Sequence, residues 1–137
     1  MRMKQGLAVA MVVVCASAAF VAPVVAHAPA LSMLDMLERG SWEMRYRNGD
    51  QPAERICLDS GRRFIQLKHP NVNCRRVIVD DNETQVTVQY TCPGRGYGRT
   101  SIRRETSRLV QIDSQGIVEG LPFSFAAEAR RVGNCSN

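Results

Sequence analysis

Residues 84–92, Thr-Gln-Val-Thr-Val-Gln-Tyr-Thr-Cys, decide the fold. Val86, Val88 and Tyr90 alternate with Gln85, Thr87, Gln89 and Thr91, and a period of two is the mark of a strand with one buried face. Arg75–Asp80 is its hairpin partner, with the turn near Asp81-Asn82-Glu83. Towards the N-terminus, Trp42, Met44 and Tyr46 alternate with Glu43, Arg45 and Arg47. Asn48-Gly49-Asp50 is a turn, and Glu54–Leu58 is the strand that follows it. Beyond Pro93 come strands over Thr100–Thr106, Arg108–Asp113 and Ile117–Leu121, with a turn at Ser114-Gln115-Gly116. In the last strand Phe123, Phe125, Ala127 and Ala129 alternate with Ser124, Glu128 and Arg130.

Two helical pieces interrupt this pattern. Ser32 caps a short helix over Met33–Arg39, with Asp35 three residues on and Gly40 as its stop. Arg63–Leu67 forms a helical turn ended by Pro70. The expected class is mainly β: an antiparallel curved sheet, as a sandwich or half-barrel of seven or eight short strands, with one short N-terminal helix and two disulfides. No repeat, linker or low-complexity tract divides the chain.

The 137 residues carry 18 Lys+Arg against 13 Asp+Glu. That length and balance exclude a multidomain enzyme, a polytopic membrane protein and a collagen-like or coiled-coil chain. Residues 1–26 have the three parts of a secretory signal. Arg2 and Lys4 form the positive end, Leu7–Phe20 the apolar run, and Val24-Val25-Ala26 the small residues of a cleavage site after Pro23. The cut falls after Ala26, since Pro29 would follow a cut after Ala28. An uncleaved anchor is the alternative, because about 20 apolar residues can span a bilayer. Cleavage leaves residues 27–137 as one disulfide-bonded β-domain with a net charge of +3 and no stable membrane span, in the periplasm or outside the cell.

Cys15 leaves with the signal, and Cys57, Cys74, Cys92 and Cys135 remain. An even number in a short exported chain reads as two disulfides, and no Cys-x-x-Cys spacing suggests zinc or redox chemistry. Placing Val77 and Val79 on the face of Val86 and Val88 sends Cys74 and Cys92 to opposite faces. Ile78 is the apolar residue this placement leaves outside. Of the three possible connectivities this disfavours the one with Cys74–Cys92, and of the two that remain the preferred pairs are Cys57–Cys74 and Cys92–Cys135.

Gly40-Ser41-Trp42-Glu43, the spaced cysteines at 57, 74 and 92, and the closing Gly133-Asn134-Cys135 carry a resemblance. The chain resembles a family of small exported bacterial proteins known as domain of unknown function 3617. Arg39 stands where that family usually has proline. The resemblance implies an export signal, an antiparallel β-fold and disulfides, and supplies no catalytic residues.

Arginine is the unusual composition: 15 arginines and one lysine, Lys68, follow Ala26. Pairs stand at Arg62-Arg63, Arg75-Arg76, Arg103-Arg104 and Arg130-Arg131. Strand neighbours face opposite ways, so only arginines from adjacent strands can build an anion-binding stripe. Arg75, Arg95, Arg99 and Arg103 are the candidate binding residues, set against the plainer reading of a solvated face balanced by carboxylates. Pro93-Gly94-Arg95-Gly96-Tyr97-Gly98 lacks the helix that a phosphate-cradling loop opens, so it reads as a connection whose Tyr97 covers a ligand mouth. His27, if N-terminal, offers an amine and an imidazole to copper, with His69 the only other imidazole. Otherwise His69 is a surface histidine before a proline.

No Ser-His-acid arrangement or Gly-x-Ser-x-Gly is present, so no catalytic residue, metal site or cofactor is assigned. The expected function is non-covalent binding of an anionic or amphiphilic small ligand, or of an envelope component, by a monomer that does not bind nucleic acid. A structural or interaction protein of the envelope is the alternative, using an edge strand or the Met33–Leu37 helix. A hydrolase or a copper-binding protein stands further back.

Overall fold

The computed structural model describes residues 30–47 and 50–136. The expected signal, its cleavage site, His27 and the Asn48-Gly49 turn lie outside the described residues. In chain order the elements are α1 (Ser32–Asp35), β1 (Gly40–Tyr46), β2 (Glu54–Leu58), a 3-10 helix (Gly61–Gln66), β3 (Arg75–Asp81), β4 (Gln85–Cys92), β5 (Gly96–Thr106), β6 (Leu109–Val118) and β7 (Leu121–Gly133).

The seven strands form one unclosed antiparallel sheet in the order β2-β1-β7-β6-β5-β4-β3. From β3 to β7 each strand pairs with its sequence neighbour, and β7 then returns to pair with β1. Alternation settles which face is inner. Val86, Val88 and Tyr90 of β4, Ile102 of β5, Val110 and Ile112 of β6, Ala127 and Ala129 of β7, and Trp42 and Met44 of β1 are all buried. The connection from β2 to β3 crosses this face. Phe64 of the 3-10 helix meets the Trp42 ring edge-on at 5.4 Å, and the Ile65 carbonyl accepts from Thr100 Oγ1 at 2.7 Å. With its one hydroxyl proton committed to that carbonyl, Thr100 must accept from Ser114 Oγ, 2.8 Å away. Burying Phe64 and Ile65 contributes about 1.5–3 kcal/mol each.

Several expectations need correction. Ser32 is the first residue of α1 rather than its cap: Leu31 holds that place at φ 63°, with no side-chain cap, and α1 ends at Asp35 rather than Arg39. The Leu31 N–H donates instead to Asp81 Oδ2 at 2.9 Å. The two strands expected over Arg108–Leu121 are one, β6, and the turn lies at Glu119-Gly120, both at positive φ (50° and 80°), as a tight hairpin requires. Gly116 is a strand glycine for a different reason: a Cβ there would strike the Tyr97 carbonyl. Likewise β5 begins at Gly96, so the second half of the glycine-rich segment is strand.

The disulfides are Cys57–Cys135 and Cys74–Cys92, so neither preferred pair forms. The cause is register. Arg75 faces Thr91, Arg76 faces Tyr90 and Ile78 faces Val88. Cys74 therefore falls opposite Cys92, with Cα atoms 4.3 Å apart. The inner-facing residue of the apolar trio is Ile78, while the ladder shifts at Val79. Cys57–Cys135 joins the edge strand β2 to the segment after β7, closing 78 residues of sequence separation.

Candidate functional site

A cleft of about 480 Å³ lies where the 3-10 helix and the loop after it meet β1, β2 and β3. Inner-face alternation supplies its apolar lining, Met44 and Tyr46 from β1 and Ile56 from β2, with Leu67 from the loop. Arg62, Arg63, Lys68 and Arg76 bring four cations to it, against the carboxylates of Glu54 and Asp59.

Each cation is held differently. Arg62 reaches out of the cleft to Asp35 in a bidentate pair, at 3.0 and 2.9 Å, and donates to the Ala30 carbonyl. That hydrogen bond raises the Arg62 pKa and holds the Asp35 carboxyl below its ordinary 3.8. The Arg63 guanidinium donates to the Cys57 carbonyl, at 2.8 Å. Arg76, partly withdrawn from water, donates to Gln66 Oε1 at 2.7 Å. Burial, and secondarily the positive charge of Arg62, lower its pKa. Lys68 Nζ stands 5.4 Å from the Phe125 ring centre and 5.9 Å from that of Tyr46, over two rings that pack edge-on. Among the described residues Arg63, Lys68 and Arg76 form no ion pair. The Tyr46 hydroxyl donates to Glu54 Oε2 at 2.8 Å, and burial followed by this bond pushes its pKa up to about 12. Arranged this way, the cleft offers an apolar and aromatic floor beneath donors that lack counter-charges.

The four arginines named from sequence are not brought together. Arg95 pairs with Glu119 at 3.4 Å, and Arg103 with Glu105 at 3.1 Å. Arg99 lies on the outer face, flanked in register by Gln89 and Gln115. Four residues separate it from Arg103, about 13 Å along the strand. Arg75 stands on the edge strand, facing away from the cleft that its neighbour Arg76 enters. Tyr97, half exposed, lines a separate outer-face basin of about 370 Å³ with Arg99, Gln115 and Phe123.

His69 is not a surface residue. It is 2% exposed, with Nε2 3.1 Å from the Arg95 carbonyl and Nδ1 3.2 Å from the Tyr90 hydroxyl. A carbonyl only accepts, so Nε2 carries a proton and, in the neutral ring, Nδ1 accepts from Tyr90. Both nitrogens are engaged in structure. Of the aromatic residues expected to surround an apolar cavity, Trp42 and Tyr90 are fully buried and Phe123 and Phe125 stack at 6.4 Å. Among the described residues no three His, Cys, Asp or Glu side chains are gathered as a metal site, and no helix is long and apolar enough to cross a membrane.

Compared with protein-family models, curated proteins and solved structures, the chain matches none.

Proposed function

We propose that this chain is an exported, non-covalent binding module, and that its ligand is a small anion with an apolar portion, held in the cleft of Arg63, Lys68 and Arg76. The observation that carries the reading is the set of three cations without carboxylate partners above the floor of Met44, Tyr46 and Ile56. Arg76 donates to Gln66 Oε1 and has no carboxylate partner among the described residues, and an anion in the cleft supplies the counter-charge that it and Lys68 lack. A volume of about 480 Å³ suits a small ligand. The two disulfides are compatible with the oxidising compartment that export provides. The Gly40-Ser41-Trp42-Glu43 start and the closing Gly133-Asn134-Cys135 support placing the chain with the exported family named above.

Calorimetric titration with octyl phosphate, inorganic phosphate and octyltrimethylammonium tests the reading. Octyl phosphate should bind, inorganic phosphate more weakly, and the cation not at all. Arg76→Ala should weaken octyl phosphate by about tenfold or more, the worth of a charge-assisted hydrogen bond. Equal affinity for the anionic and cationic amphiphiles would overturn it.

A further inference from the structure

Strand β3 reads Arg-Arg-Val-Ile-Val-Asp-Asp over residues 75–81: two cations, three apolar residues, two anions. Among the described residues it forms one edge of the sheet, paired with β4. The inner faces of β4, β5 and β6 are largely buried, but β3 is exposed on both faces, with Val77, Ile78 and Val79 at 64, 41 and 47%. None of its four charged residues forms an ion pair within the chain among the described residues, whereas Arg103 and Arg130 on other strands do. The opposite edge differs. In β2, Arg55 pairs with Glu43, and Cys57 carries the bridge to Cys135.

We propose that the β3 edge is a self-association surface, on which a second copy of this chain sets its own β3 antiparallel to the first. The ground is charge complementarity. A two-fold axis across the strand brings the Arg75-Arg76 end of one protomer to the Asp80-Asp81 end of its partner, and the reverse, with apolar trio against trio. A parallel copy would instead set arginine beside arginine and aspartate beside aspartate. Protective edges carry charges that repel a second copy; this one carries charges that match it. The shift between Ile78 and Asp80 shortens the regular ladder, so the attraction rests on the trio and the charged ends. Arg75 and Asp80 both project to the outer face, away from the cleft, so this charge pair tests the association without touching the proposed ligand site.

Sedimentation velocity of the protein purified after expression with its own leader, at concentrations up to roughly 1 mM, tests the proposal. The wild type should dimerise. Arg75→Asp and Asp80→Arg should each weaken the dimer by about tenfold, because each places like charges across the two-fold twice. An equimolar mixture of the two variants should form heterodimers, and Arg75→Asp/Asp80→Arg in one chain should restore the dimer. Circular dichroism and intact disulfides confirm the fold of each variant. A wild type that stays monomeric throughout, single variants that dimerise like wild type, or a double variant that does not recover would each overturn the proposal.

Discussion

Arg76 lies directly opposite Tyr90 across the β3–β4 ladder, in the register that sets Ile78 against Val88 and brings Cys74 to Cys92. One relationship thus decides three things. It fixes a disulfide, sends Arg76 to the inner side where it meets Gln66, and leaves Arg75 outside.

The two bridges should differ in what they contribute. In the chain-entropy picture Cys74–Cys92, with a separation of 18, is worth about 3 kcal/mol, and Cys57–Cys135, with a separation of 78, about 4. Urea unfolding of Cys74→Ala/Cys92→Ala and Cys57→Ala/Cys135→Ala should give that order. Peptide mapping of the oxidised protein should recover 57 with 135 and 74 with 92; a fragment joining 57 to 74 would refute the register.

Removing the His69 imidazole leaves the buried Tyr90 hydroxyl without its partner and takes from the Arg95 carbonyl one of its two donors, the other being the Glu119 N–H at 3.1 Å. His69→Ala should therefore cost about 2–4 kcal/mol of unfolding free energy. A surface histidine would cost less than about 0.5 kcal/mol, and that outcome would contradict the buried arrangement.

Acid should loosen the contact between α1 and the 3-10 helix. Arg62 holds the Asp35 carboxyl below 3.8, so in that range the unfolded chain binds the proton that the folded one releases. The stability it contributes is present above the unfolded value and is lost as pH falls through the folded one. Its size is modest, since both partners meet solvent. Between about pH 5 and pH 2 the wild type should lose more urea resistance than Asp35→Asn. Parallel losses would exclude the pair as a source of acid sensitivity.

Gly98 has no room for a side chain. Tyr90 packs over it so closely that a Cβ would overlap the phenol ring. Gly98→Ala should destabilise by about 1–3 kcal/mol through overpacking, measured by thermal unfolding. An unchanged midpoint would place the Tyr90 ring elsewhere.

Strand periodicity was readable wherever one face is buried and the other wet. β1, β4 and most of β7 follow from alternation, β2 from the turn signal that precedes it, and the 3-10 helix follows within a few residues. β3 was misread because Val77, Ile78 and Val79 offer apolar side chains to both faces, so hydrophobicity does not choose a register there. The Cys74–Cys92 bridge does choose one, and testing it first would have placed Arg76 inside. β6 was split because Gly116 imitates a turn residue while serving a close backbone approach. The cleft was legible only as scattered basic residues. Arg62-Arg63 and Arg75-Arg76 stood out as pairs, but nothing in their spacing shows that a β2–β3 crossover carries Lys68 and Arg63 over to Arg76.

A heteronuclear NMR titration of the oxidised protein with octyl phosphate asks whether the cleft binds an anionic amphiphile. Saturable shifts are expected at the amides of Arg62–Lys68 and Arg76 and at the Lys68 ammonium, with Arg99, Gln115 and Ser124 on the outer face unmoved. Shifts confined to that outer basin, or none at saturating ligand, would contradict binding in the cleft.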